Sequence, residues 1–388
     1  MHIAWIGKKT PFCGNVTYSR EVTNGLLDRG YQVSFFHFTQ ESQPSEVTKG
    51  SSGDWRAELD GRDVSLPCLY KSQIYTIPAP NATRLLTQAL QELKPDLVHA
   101  SLTLSPIDFV LPEICAELQQ PLVATFHPAF DRRRRNIASR TQHLAYQIYA
   151  PCLANYDRTI VFSETQREIL VKLGVRGEQV VVIPNGVDVD KYSPGPSNLK
   201  QRLGLERVFV YQGRVSPEKN LEALLKAWKQ SQMGENCGLL ILGDGPLAKS
   251  LKPFYNAQHG IHWLGYVAEE QQRIEILRGA DVFILPSLIE GLSLSLLEAM
   301  ACGLAPVATD VGADGEVLMD GAGILLDPRR VTSDLQTLLP LLRDQREFTQ
   351  LLGMKARQRV LERYTLSRNI TQVEQLYREL CQGSRQPL

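Results

Sequence analysis

The sequence has no charge bias. Its 42 Lys and Arg balance 42 Asp and Glu, so no global field draws it to nucleic acid, and no nucleic-acid partner is expected. CxxC pairs are missing. Seven cysteines are scattered singly, a pattern that predicts reduced, structural thiols in a cytosolic compartment rather than a disulfide framework. No apolar run approaches the roughly 20 residues that a membrane-spanning helix needs. The opening stretch, MHIAWIGKK, meets charge too soon for a signal-peptide core and reads as a first strand. No His or Cys cluster has metal-ligand spacing. The only Asp-x-Asp, Asp188-Val189-Asp190, lies where turn formation is reason enough for it. The expectation is a soluble protein with no metal and no other cofactor, still free to sit on a membrane surface.

What is present is alternation. Short β-branched runs at 2–7, 32–38, 96–100, 122–126, 159–163 and 180–184 are separated mostly by amphipathic helical stretches, the first near 16–29 and closed by Gly30. The polar region 40–63 reads as a loop insertion. A break rich in Gly, Pro, Asn and Asp follows at 185–198. Strand-like runs then resume at 208–213, 239–243, 261–265, 281–286, 305–309 and 322–327. Such alternation predicts an α/β protein of two Rossmann-like domains with parallel sheets facing a central cleft. The boundaries fall at 1–187, a linker 188–200, and 201–363. A C-terminal helical segment, 364–388, is placed to pack back across the junction.

Ligands of such sheets bind at the carboxyl ends of the strands. In the second half those ends carry Arg214 and Lys219, then Asp244, then Tyr266 and Val267, and last the stretch LIEGLSLSLLEAMACG at 288–303. Each feature alone has an ordinary explanation. Arg214 and Lys219 could be solvated charges, and DGP at 244–246 an ordinary turn. Ser295-x-x-Glu298 could be a capping box, with Glu290 a loop charge. Placed after successive strands, they converge on one pocket suited to a sugar nucleotide. A diphosphate wants the planar fork of Arg and the point charge of Lys. A helix beginning after Ser293 offers free N–H groups to the same phosphates. Glu298 could accept the two vicinal ribose hydroxyls, and Glu290 the hydroxyls of the transferred sugar. Gly291 would let the backbone come close to the ligand, and Leu292, Ser293 and Leu294 beside it are further donor-binding candidates.

The set GRVSPEKN, LGDGP, WLGYV, PSLIEGLSLSLLEAMACG and DVGADGEV, together with IPNGVD and YSPG, resembles the retaining glycosyltransferases of family four, which have the GT-B fold. The resemblance covers nearly the whole chain. It implies a nucleotide-sugar donor held by the second half, with Glu290 on the sugar, Glu298 on the ribose and Arg214 with Lys219 on the diphosphate. It implies that His127, in TFHPAF, contacts the donor sugar. His127, Arg214, Lys219 and Glu290 are then the catalytic set. The family's Gly-Gly loop after the first strand reads KKTPFCGNV here, where Gly14 alone matches.

Within the family, WIGKKTPFCGNVTY, LYKSQIYTIP, LVHASLTLSPIDFVLPEIC and LAYQIYAP are similar to the cyanobacterial digalactosyldiacylglycerol synthases. That similarity implies UDP-galactose as donor and a galactolipid, monogalactosyldiacylglycerol, as acceptor, with an α-linkage. The expected place is the cytoplasmic side of a membrane, thylakoid or plasma membrane, as a peripheral protein. One segment bears on this independently. Arg132, Arg133, Arg134, Arg135 and Arg140 precede apolar Ile137, Leu144, Ile148 and Tyr149, with no acid from 132 through 156. Such a cluster suits an anionic membrane surface; a solvated loop leading to a core helix accounts for it equally well. Two rival functions stay open. One is a related transferase acting on diacylglycerol, a phosphoinositide or a soluble sugar. The other is a sugar-nucleotide sensor or scaffold.

Overall fold

The computed structural model describes residues 1–10, 13–40, 63–72, 75–130 and 137–383, the side chains of 137–142 and 383 excepted. The insertion expected at 40–63 lies almost wholly outside the described residues, as do Arg132 to Arg135. Two sheets organise the chain. The first has the order β4-β3-β2-β1-β5-β6-β7-β8. Its strands are β1 His2–Ile6, β2 Gln32–Gln40, β3 Asp63–Lys71, β4 Thr76–Pro78, β5 Leu97–Ser101, β6 Leu122–Thr125, β7 Arg158–Val161 and β8 Val180–Val182. All its pairings are parallel except β3 with β4. The second is wholly parallel, in the order β11-β10-β9-β12-β13-β14. Its strands are β9 Arg207–Gln212, β10 Cys237–Leu242, β11 Ile261–Gly265, β12 Val282–Leu285, β13 Ala305–Thr309 and β14 Ile324–Leu326.

The central strands are buried on both faces, as continuous apolar runs require. β10 reads CGLLIL and every residue of it is buried. All twelve runs read as strands from the sequence are strands. β3 and β4 were not foreseen. DVSLPCLYK carries Pro67 and ends in exposed Leu69 and Tyr70, so neither its propensity nor its pattern marks a strand. It is the second strand from the edge, between β2 and β4, and its register with β4 shifts between Cys68 and Tyr70, an irregularity of the kind beside which proline is tolerated.

Strand order reverses between β1 and β5 in one sheet and between β9 and β12 in the other. These switch points open crevices at the strand ends. The chain crosses between the sheets twice, and the crossings are bonded to each other. Val187 N–H donates to Tyr364 O, and Leu366 N–H donates to Val187 O, each at 2.9 Å. The helix Leu366–Gly383 then packs on the helix Gly14–Asp28. Contact is so close that a Cβ on Gly25 would lie 2.1 Å from Ile370 Cδ1. Arg29 and Tyr31 both bond the Glu374 carboxylate at 2.8 Å, and buried Tyr377 bonds His99. Chain ends distant in sequence are thus fastened to one sheet.

Candidate functional site

β9 and β12 lie side by side at the second switch point, so the segments after them meet. Ser216 to Asn220 turn through a 3-10 helix, Pro217–Lys219, with Asn220 in the left-handed region. The turn aims Lys219 across at the segment after β12. Lys219 Nζ lies 2.6 Å from Glu290 Oε1, and Ser287 Oγ donates to the same oxygen at 2.7 Å. The glutamate is almost wholly buried, so this charge-assisted pair is what allows a carboxylate there.

The helix Leu294–Ala301 begins next. Its N-cap is Ser293, whose hydroxyl accepts from Leu296 N–H at 3.4 Å. The cap is therefore not Ser295, and Glu298 is not a capping-box partner. Glu298 sits inside the helix and turns to the cleft wall, where Gln212 Nε2 donates to it at 2.6 Å. Burial raises its pKa to about 7 against the opposing charge of Arg273. Asp314 backs the helix start. Its Oδ1 accepts Ser293 N–H at 3.0 Å, and its Oδ2 has no partner among the described residues. Burial and the adjacent Glu290 charge push its pKa well above the carboxylate range, which favours the protonated form.

The loop after β13 fixes the backbone of Glu290. Gly312 has φ +57°, and a Cβ there would stand 2.2 Å from Glu290 O. No other residue fits. Gly291 is different: its added Cβ would meet only His127 O, at an ordinary 3.6 Å. That contact also joins the two halves, as does Phe130 N–H donating to Glu290 O at 3.2 Å. His127, just past β6, therefore faces the Glu290–Gly291 turn. Its Nε2 lies 2.8 Å from Ser101 Oγ. Burial, then the Lys8 charge, lowers its pKa to about 3, so the ring is neutral.

One cavity of about 460 Å³ gathers these groups, inside the range of small-molecule sites. Gly14 and His127 line it from the first sheet. Arg214, Lys219, Asp244, Tyr266, Val267, Glu290, Gly291, Leu292, Ser293, Leu294 and Glu298 line it from the second. All thirteen donor-site candidates come together. Arg214 is the freer of the two cations, 3.9 Å from Glu218. Gly14 opens the helix Gly14–Asp28, whose N-cap, Cys13, makes no side-chain cap bond. Among the described residues no group of three or more His, Cys, Asp or Glu could hold a metal.

Sequence reasoning missed Asn15, Arg20, Gln212 and Arg273, which also line the cavity. Gln212 ends β9, so strand-end position was a usable signal. Arg273 sits on the helix Glu270–Gly279 and carries no local mark. Asp314 lies within the motif DVGADGEV without a role read from it. One expectation fails on the membrane side. Tyr149 is buried, with its hydroxyl on Asp108 at 2.8 Å, whereas Leu144 and Ile148 are about half exposed, at 54% and 52%. The tyrosine belongs to the core. Arg140 falls on the helix Ile137–Leu153, but its side chain lies outside the described residues.

Comparison with known proteins finds two family models in tandem. Residues 13–191 match "Glycosyltransferase Family 4" and residues 198–359 match "Glycosyl transferases group 1". The chain is 29% identical over 310 residues to an Escherichia coli UDP-Gal:alpha-D-GlcNAc-diphosphoundecaprenol alpha-1,3-galactosyltransferase, covering 75% of this chain and 77% of that one. It is 28% identical over 355 residues to D-inositol 3-phosphate glycosyltransferase of Nocardia farcinica, covering 85% and 77%. Its fold matches that of Anabaena HepE, crystallised with UDP, at a TM-score of 0.76 and 18% identity over 98% of this chain and 100% of that one.

Proposed function

Since the chain belongs to the family 4, group 1 glycosyltransferases of the GT-B fold, we propose that it transfers galactose from UDP-galactose to monogalactosyldiacylglycerol with retention, forming the α-linked digalactosyl lipid. Enzymes of this family work without a metal, and the UDP-sugar is a substrate rather than a cofactor. The observation that carries the reading is the Lys219–Glu290 pair, 2.6 Å apart, lining one cavity with His127 from the other half. A sugar bound there meets both halves at once. The E. coli relative's name gives both a galactose donor and a lipid-linked acceptor, which favours galactose and a lipid. The Nocardia relative's name gives D-inositol 3-phosphate, which favours the alternative of a soluble acceptor.

Each group then has a task. Arg214 and Lys219 hold the diphosphate, joined by the first N–H groups of the helix Leu294–Ala301. Glu298 accepts the ribose hydroxyls. Glu290, fixed by Lys219 and Ser287, positions the sugar. A double displacement needs a second carboxylate nucleophile beside the anomeric carbon. Glu290 is tied to Lys219, and Asp314 lies behind the helix start with its Oδ1 on the Ser293 N–H. His127, neutral with a pKa lowered to about 3, is too weak a base to take the acceptor proton. The acceptor hydroxyl therefore attacks on the face the diphosphate leaves. Its oxygen bonds to the anomeric carbon as the carbon–oxygen bond to UDP breaks. The electron pair stays on the departing phosphate oxygen, which takes the hydroxyl proton.

Kinetics with UDP-galactose test this. Arg214→Ala and Lys219→Ala should each lose about 2–4 kcal/mol in kcat/KM, the scale of one preorganised charge partner. The wild-type rate should survive a chelator. Near-wild-type rates in both variants would remove the diphosphate assignment.

A further inference from the structure

Ser101 is the last residue of β5 and is fully buried. Its Oγ has three polar neighbours: His127 Nε2 at 2.8 Å, Asn15 Oδ1 at 2.9 Å and Ser19 Oγ at 3.1 Å. A hydroxyl carries one proton, so it donates to one neighbour and accepts from the others. Asn15 decides which. Its Nδ2 donates to Leu102 O at 3.1 Å, and this turns Oδ1 toward Ser101. Flipping the amide would set its oxygen against the Leu102 carbonyl. With Oδ1 at 2.9 Å, a Ser101 hydroxyl pointing elsewhere would oppose lone pair to lone pair. Ser101 therefore donates to Asn15, Ser19 donates to Ser101, and His127 Nε2 must donate as well. In the reverse arrangement Asn15 Oδ1 would keep only Ser19, at 3.4 Å.

We propose that Ser101 and Asn15 are positioning residues that hold His127 as its Nε2–H tautomer, leaving Nδ1 as a hydrogen-bond acceptor for a hydroxyl of the transferred sugar. This rests on the reading of His127 as a donor-sugar contact. The ring is also held in place by Tyr18, edge-on at 5.1 Å, and Phe162 at 5.3 Å. Its neutrality, already derived from burial, means that one nitrogen must lack a proton, and the network selects Nδ1. No protein group among the described residues bonds Nδ1. The site then selects sugars that present a hydroxyl donor to His127. Ser101 does not line the cavity, so it acts only through the ring.

The test uses the full chain. Histidine labelled with 15N, assigned through His127→Ala, reads the tautomer directly; the expected pattern is a protonated Nε2 and a bare Nδ1. Ser101→Ala removes the acceptor for Nε2–H. It should lower kcat with UDP-galactose about 10-fold or more, mix the two tautomers, and leave the Kd for UDP within about twofold, which also shows that the variant folds. Ser101→Thr keeps the hydroxyl and should restore both the rate and the tautomer. A wild-type His127 protonated on Nδ1 would overturn the inference. So would a Ser101→Ala enzyme with wild-type kcat while His127→Ala is slow, and in that case the sugar contact itself stands. If His127→Ala is as fast as wild type, the contact is wrong and the inference falls with it.

Discussion

At the scale of single residues, the site keeps its carboxylates in three different states. Glu290 is paired with Lys219, burial pushes the Asp314 pKa well above the carboxylate range, and Glu298 titrates near pH 7. Glu298 gives a prediction with a definite sign. Its ionised form accepts ribose hydroxyls best, so UDP affinity should rise with pH through about 7 and then level off. The stability term runs the other way. The folded pKa lies above the unfolded value of 4.5, so this term is fully present below 4.5 and is lost as pH rises through about 7. Glu298→Ala should weaken UDP binding and abolish its pH dependence. Glu290→Ala should leave UDP affinity nearly intact and lose turnover. Calorimetry with UDP separates the two, and an equal loss in both would show the roles are divided wrongly. These glutamates were legible in the sequence because spacing and strand-end position identify them. Asp314, Gln212 and the Asn15–Ser101 pair were not. Their importance arises from neighbours 21 to 87 positions away in the chain, such as Ser293 for Asp314, Glu298 for Gln212 and Leu102 for Asn15.

At the scale of elements, the start of the helix Leu294–Ala301 carries most of the site. Ser293 caps it, Asp314 accepts the Ser293 N–H, and Gly312 supports the preceding turn. A Cβ on Gly312 cannot be accommodated at 2.2 Å from the Glu290 carbonyl with φ at +57°. Gly312→Ala should therefore cost about 1–3 kcal/mol of stability in chemical denaturation. Its loss of kcat should be larger than that stability change explains, because Glu290 moves with its backbone. Unchanged denaturation midpoint and rate would show that the turn adapts freely. Parallel buried strands were easy to read, since their apolar runs are unbroken. The β3–β4 edge was hidden because proline and exposed aromatics interrupt both its pattern and its propensity.

At the scale of the whole molecule, two switch points face each other, and the paired crossings at Val187 and Thr365 hold them in register. Alternation along the chain was enough to foresee two parallel sheets; which side chains reach across between them was not. The first half carries exposed Leu144 and Ile148 on the helix that follows the arginine run. Replacing Arg132 to Arg135 with glutamine should reduce co-sedimentation with anionic vesicles and flatten its salt dependence, at about 1 kcal/mol per charge, while leaving UDP binding unchanged. Unchanged vesicle binding at low salt would identify the run as a solvated loop.

The most direct measurement of the central claim is the anomeric configuration of the product formed from labelled UDP-galactose and vesicles containing monogalactosyldiacylglycerol, read by proton NMR of the purified lipid. A galactose α-linked to the first galactose is the predicted result. A β-linkage, or label that enters only water-soluble acceptors and never the lipid, would contradict the account.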